Sequence, residues 1–120
     1  MKFAIQREAL LKPLQLVAGV VEKRQTLPIL SNVLITLENG QLSLTGTDLE
    51  VELVARTTVD SAEENGEITL PARKLVDIMR NLPDDSVVEV RVQDQRAVIK
   101  TGRSRFTLAT LPASEFPNAE

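Results

Sequence analysis

Cysteine and histidine are both absent from the 120 residues, and together these absences remove most familiar reactive chemistry. Without cysteine there is no disulfide, no thiolate nucleophile and no thiolate ligand, although the absence names no compartment. Without histidine there is no imidazole base, metal ligand or pH switch. No nucleophile-base pair, phosphate-cradling glycine loop or metal-ligand cluster can be assembled from what remains. The expectation is a protein that is not an enzyme and carries no cofactor or metal. No segment approaches the ~18 apolar residues that a membrane span needs. The amino terminus also lacks a basic stretch followed by an apolar run and a small-residue cleavage site, so the expected location is cytoplasmic, with no membrane. At 120 residues the chain fits one domain and is too short for two independent cores.

What is present is a pattern that occurs twice. Val33 to Ala55 reads as three strands of alternating apolar and polar residues, and a degenerate copy returns at Glu89 to Leu111. The pair Thr45-Gly46 falls on Thr101-Gly102 at a spacing of 56. Upstream, Phe3, Ile5, Leu10, Leu11, Leu14 and Val17 fall on Ile68, Leu70, Leu75, Val76, Met79 and Leu82 at a spacing of 65, covering a strand and the helix after it. Each half is strand, helix, then three strands. A unit that repeats in this way buries its apolar face against its copy. The expected fold is α+β, internally duplicated, with two helices packed against antiparallel sheets. It forms one domain over 1–110 with halves 1–60 and 66–110, followed by a linker over 111–120.

Within the first half, Leu10, Leu11, Leu14, Val17 and Ala18 share one helix face while Lys12 and Gln15 point away. Pro13 predicts a kink or a late helix start. Lys23, Arg24 and Gln25 then form a basic elbow, which is either a solvated loop or a pair of cations able to follow an anionic surface. Strands over 33–38 and 41–45 meet at Asn39-Gly40, whose residues both accept positive φ. A long strand over 49–59 would place Asp48, Glu50 and Glu52 on one face. Those carboxylates are either the wet face of a sheet or a cation site.

In the second half, Asp60 to Gly66 reads as an acidic, turn-rich link. Pro71 suits a first helical turn, and Leu75, Val76, Met79 and Leu82 are buried with Arg73, Asp77 and Arg80 opposite. Strands over 87–93, 96–101 and 103–110 close the chain. A last strand carrying Arg103 and Arg105 either blunts an exposed edge or receives another chain.

Net charge is −3, yet it is unevenly spread. Residues 7–24 sum to +2 and residues 71–82 to +2, which leaves −7 for everything else. Cations gathered on the two helical units create a field of the sign a phosphate backbone attracts, unless they only decorate solvated helix faces.

MKF at the start, LLKPLQ at 10–15, TLPIL at 26–30, LSLTGTDLE at 42–50, PARK at 71–74 and GRSRFTLATLPASEFP at 102–117 together resemble the amino-terminal domain of the beta subunit of bacterial DNA polymerase III, the sliding clamp. The blocks span nearly the whole chain in order, but cover only the first of three domains. The resemblance implies a DNA-clamp fold whose helices line the hole of a two-subunit ring around double-stranded DNA, conferring processivity on the polymerase through weak, sequence-blind phosphate contacts. It implies DNA contact by Arg24 and Arg73, and helix faces add Lys12, Gln15, Lys23 and Arg80. It also implies that Lys74, Arg96, Arg103, Arg105, Phe106 and Leu108 meet the third domain of a second subunit. Polymerase and clamp loader would bind domains absent here. A rival from another class is an independent α+β module that docks a protein through its last strand. The two readings separate on whether both helices lie side by side with Arg24 and Arg73 on their shared face.

Overall fold

Phe3 and Ile5 turn inward from β1 (Lys2–Gln6), and at Arg7 the apolar period lengthens to that of α1 (Arg7–Ala18). The computed structural model describes residues 1–21 and 27–117. Pro13 lies inside α1, and the helix does not start late. Proline in a helix interior costs ~3 kcal/mol, whereas burying each of Leu10, Leu11 and Leu14 contributes ~1.5–3 kcal/mol, so the apolar face decides where the helix begins.

Strands β2 (Asn32–Glu38), β3 (Gln41–Thr47) and β4 (Glu52–Thr58) follow, then β5 (Ser61–Glu64), β6 (Gly66–Pro71) and α2 (Ala72–Arg80). The chain closes with β7 (Val87–Gln93), β8 (Arg96–Thr101) and β9 (Ser104–Ala109). One sheet runs β5-β1-β7-β8-β9 and the other β4-β3-β2-β6, with every pairing antiparallel. The strand-helix-three-strand succession thus occurs twice, and each half lends its first strand to the other half's sheet. β1 lies beside β7, and β6 beside β2. Phe3, Ile5, Leu14, Ile35, Leu44, Leu70, Leu75, Met79 and Ile99 meet in one core beneath the two helices.

The register corrects the alignment read from the sequence. The hairpin turns Asn39-Gly40 and Asp94-Gln95, all four residues at positive φ, lie 55 positions apart, as do the starts of β3 at Gln41 and β8 at Arg96. Gly46 therefore corresponds to Thr101 rather than Gly102. Gly46 is buried within β3, while Gly102 has φ +55° in the turn between β8 and β9. The reason for glycine at 46 is a close approach: α1 lies across β3 and β4, and a Cβ on Gly46 would stand 2.5 Å from the Val17 carbonyl oxygen.

The long strand expected over 49–59 is also shorter than its alternation suggests. Residues 48–51 turn instead, and β4 begins at Glu52. The Asp48 carboxylate accepts hydrogen bonds from the amides of Val51 at 2.7 Å and Glu50 at 2.9 Å, while the Thr47 hydroxyl donates to the Val51 carbonyl at 2.8 Å and accepts from the Leu49 amide at 3.0 Å. These bonds hold Leu49 at φ +81° with its side chain 61% exposed. Aspartate takes such turns because its side chain satisfies nearby backbone donors.

Two further segments carry more structure than expected. The acidic link at 60–66 contains β5, since Ser61, Ala62 and Glu64 pair with β1 and the Asp60 amide donates to the Ala4 carbonyl at 2.8 Å. The expected linker packs down as far as Pro117. The Thr69 hydroxyl accepts from Asn32 at 3.0 Å and donates to the Leu111 carbonyl at 2.8 Å, and Phe116 is buried with Ile29 and Leu30 against Leu34 and Leu111. Prolines and a lack of periodicity concealed this because a single anchoring aromatic leaves no repeating pattern.

Two outcomes follow from this geometry. Gly46→Ala should force α1 off β3 and destabilise the domain by ~1–3 kcal/mol, as overpacked cores do, read as a lower thermal midpoint at unchanged circular dichroism. The backbone bonds, from Val51 first and then Glu50, hold the Asp48 carboxyl below the usual aspartate range. A depressed pKa means that the turn is ordered above the ordinary carboxylate range and loosens as pH falls through the lower value. The Val51 and Glu50 amide resonances should titrate together with that low midpoint, and Asp48→Ala should abolish the titration.

Candidate nucleic-acid interface

Helical spacing decides which side chains of α1 and α2 reach solvent. On α1, Leu10, Leu11, Leu14 and Val17 are buried and Glu8, Lys12, Gln15 and Leu16 are exposed. On α2, Ala72, Leu75 and Met79 are buried and Arg73, Lys74, Asp77 and Arg80 are exposed. The two helices pack against each other. Ala18 of α1 closes a shallow groove with Arg73, Val76, Asp77 and Arg80 of α2. Its volume of about 150 Å³ is below the ~300 Å³ of small-molecule pockets.

Of the residues named from sequence, Lys12 and Gln15 are thus exposed on α1 and Arg73 and Arg80 on α2, the last two lining the groove beside Ala18. Lys23 and Arg24 lie outside the described residues. Among the described residues Lys12, Arg73 and Arg80 form no ion pair. Asp77 sits between the two arginines on α2 and moderates the local field.

Arg7 departs from the charge count that placed it in the basic set. It is buried, and its guanidinium donates to the carbonyls of Met79 at 2.7 Å and Arg80 at 3.3 Å, to Asp84 at 3.2 Å and to Glu8. Its charge is spent on the end of α2. No periodicity signals this, because an arginine before a helical run looks solvent-exposed until the other helix is placed.

The second group named from sequence divides between two faces of one sheet, except Lys74, which lies on α2. β9 is the edge strand beside β8, and pleating sends successive side chains to opposite sides. Arg105 lies on the outer face in a groove with Glu89, Arg91, Gln93, Val98 and Lys100. Phe106 and Leu108 face inward. Leu108 is 8% exposed and belongs to the core, while Phe106 is half-buried against it at the open edge. Arg96 and Arg103 are exposed at the ends of β8 and of the β8-β9 turn, and Lys74 is exposed on α2. Lys100 and Arg105 stand directly opposite each other, a like-charge pair that costs ~0.2–1 kcal/mol in an isolated sheet.

No cluster of three acidic residues among the described ones is arranged to hold a metal ion. Asp48 is committed to its turn, and Glu50 and Glu52 are not aligned with it on a strand. Among the described residues no helix is long and apolar enough to cross a membrane.

Comparison with known proteins gives this geometry a family. The model of the DNA polymerase III beta subunit, N-terminal domain, matches residues 1–120. A beta sliding clamp from Pseudomonas aeruginosa is 67% identical over 120 residues, which is all of this chain and 33% of the relative. One from Escherichia coli is 52% identical over the same span, again 33% of its length. Among solved structures, a sliding clamp from Pseudomonas aeruginosa bound to griselimycin aligns with a TM-score of 0.97 at 67% identity, covering 100% of this chain and 32% of that one. A DNA polymerase sliding clamp from Caulobacter crescentus aligns at 0.97 with 45% identity, covering 100% and 33%. The chain therefore spans about one third of the length of the relatives it matches. With its whole length matched by one family model and its fold shared with two solved clamps, the chain belongs to the DNA polymerase III beta subunit family and corresponds to the N-terminal domain of that subunit.

Proposed function

We propose that this chain is the first domain of a ring-forming clamp that encircles double-stranded DNA and holds the replicative polymerase on it by topology, without chemistry of its own. The observation that carries the reading is that Lys12 and Gln15 on α1 and Arg73 and Arg80 on α2 are exposed on two helices that pack against each other, on a chain whose net charge is −3. A moving clamp needs contacts that are weak and blind to sequence. Separated cations meeting phosphates supply such contacts, because each releases a counterion and none reads a base edge. An acidic remainder keeps the rest of the surface from binding DNA in competing poses. Arg24 is added to these contacts by the family likeness, and Lys23 by its place next to Arg24 in the sequence.

The edge strand β9 suits the junction with a second subunit. Its partner would extend the sheet past Phe106, with Leu108 supporting that ring from inside and Arg96, Arg103, Arg105 and Lys74 as a cationic rim. An acidic partner would relieve the like-charge pair of Lys100 and Arg105. Polymerase and clamp loader would bind the two thirds of the subunit beyond this domain, in the cytoplasm. The rival module docking through β9 accounts for Phe106 but leaves the exposed arginines of α2 without a role.

In the full-length subunit, Arg24→Ala with Arg73→Ala should leave the thermal midpoint within a few degrees of the parent. The slope of log affinity for duplex DNA against log salt should become shallower by about two, one unit for each phosphate that no longer meets a guanidinium. An unchanged slope would remove both residues from the interface. Phe106→Ala should weaken dimerisation of the same subunit ~10- to 100-fold, the effect typical of truncating a central aromatic anchor, seen as dilution-dependent monomer in sedimentation. A dimer that persists at nanomolar concentration would show that β9 is not the junction.

A further inference from the structure

Arg7 opens α1, yet only 7% of it is exposed. Its Nε donates to the Met79 carbonyl at 2.7 Å and its Nη2 to the Arg80 carbonyl at 3.3 Å. Nη1 donates to Asp84 at 3.2 Å and to Glu8, and the Arg7 backbone amide donates to the Ser86 carbonyl at 2.8 Å. Met79 and Arg80 are the last residues of α2, at the negative end of the helix dipole; besides Arg7, among the described residues the Met79 carbonyl accepts only a long 3.3 Å bond from the Leu82 amide. One side chain of α1 therefore gathers the end of α2 and the loop that leaves it.

A buried guanidinium is a costly way to fill space. Apolar packing of similar volume commonly stabilises as well or better, whereas a fully partnered ion fixes one arrangement against its alternatives. The duplicated half shows the apolar solution, because the residue 65 positions on, which opens α2, is the fully buried Ala72. The fork at Arg7 adds direction: two of its nitrogens aim at two successive carbonyls, which fixes both the position of the end of α2 and its rotation about its own axis. Arg80 is one of those two residues, and Arg73 lies two turns earlier on the same groove.

We propose that Arg7 is a positioning residue for DNA contact. It touches no phosphate itself; it sets where Arg80 and Arg73 stand relative to Lys12 and Gln15, so that the two helices present one wall. This rests on the reading of that wall as the DNA-facing surface, and the test separates the two claims.

The measurement is the affinity of the full-length clamp for a primed duplex as a function of salt, in parallel with thermal melting. Arg7→Met should weaken binding ~3- to 10-fold and make the salt slope shallower by about one, while Arg7→Lys, which keeps the charge and loses the fork, should fall between Arg7→Met and the parent. In a background of Arg73→Ala with Arg80→Ala, Arg7→Met should weaken binding no further, since residues acting through one another are not additive. If Arg7→Met does not fold, Arg7→Lys and Asp84→Asn carry the same series. Lower melting with unchanged affinity and slope would make Arg7 purely structural and overturn the inference, as would full additivity in the double background. If Arg73→Ala with Arg80→Ala itself leaves binding unchanged, the DNA-facing reading fails first and the role of Arg7 falls with it.

Discussion

Neither sheet of this domain can be completed by one half of the chain. β1 belongs in sequence to the first α1 unit but hydrogen-bonds beside β7, and β6 belongs to the second unit but pairs with β2. Backbone groups at a buried strand edge must find partners, so each half needs the strand the other provides. The exchange also places the helices. Each follows directly from an exchanged strand, α1 from β1 at Arg7 and α2 from β6 at Ala72, and the two helices pack on each other.

The two halves are alike in order but not in detail, and the differences fall where the helices are held. Gly46 lets α1 come within contact of β3, where the corresponding position of β8 is Thr101. Arg7 ties the start of α1 to the end of α2, where the corresponding residue is Ala72. A symmetric pair would treat both helices alike. Here α1 is fixed from below by a glycine contact and at its first residue by a guanidinium fork. The end of α2 is held from outside, by Arg7 and by Asn81, whose side-chain amide donates to the Asp77 carbonyl at 2.7 Å. The exposed groups left over on both helices are mostly polar, with no ion pair among the described residues for Lys12, Arg73 or Arg80.

Charge is handled differently at β9. Pleating separates Arg105 from Phe106 and Leu108, so the strand shows cations on its outer face and keeps its apolar groups turned to the core. An edge strand with charged outward residues resists indiscriminate pairing, which an open row of backbone donors and acceptors would otherwise invite. The Lys100 and Arg105 pair adds to that resistance toward basic or neutral edges while favouring an acidic one. The segment 111–117 folds back through Thr69 and Phe116 onto the other sheet, so the departure of the chain from the domain is anchored rather than loose.

By itself, the sequence determined the kinds of element, their order and their repetition, because apolar spacing of two or of three and four reports which side of a strand or helix is buried. It determined the exposed faces of the helices for the same reason: Lys12 and Gln15 on α1, Arg73 and Arg80 on α2 all reach solvent as spacing requires. What it left open depended on contacts between distant residues. The partner of each strand, the 55-residue register that makes Gly46 correspond to Thr101, the turn that Asp48 closes and the docking of Phe116 leave no local period to read. Arg7 is the clearest case. In sequence it is a cation before a helix, and only the arrival of the α2 carbonyls, more than seventy residues later, turns it into a buried fork, since hydrogen bonds are satisfied in space and not along the chain.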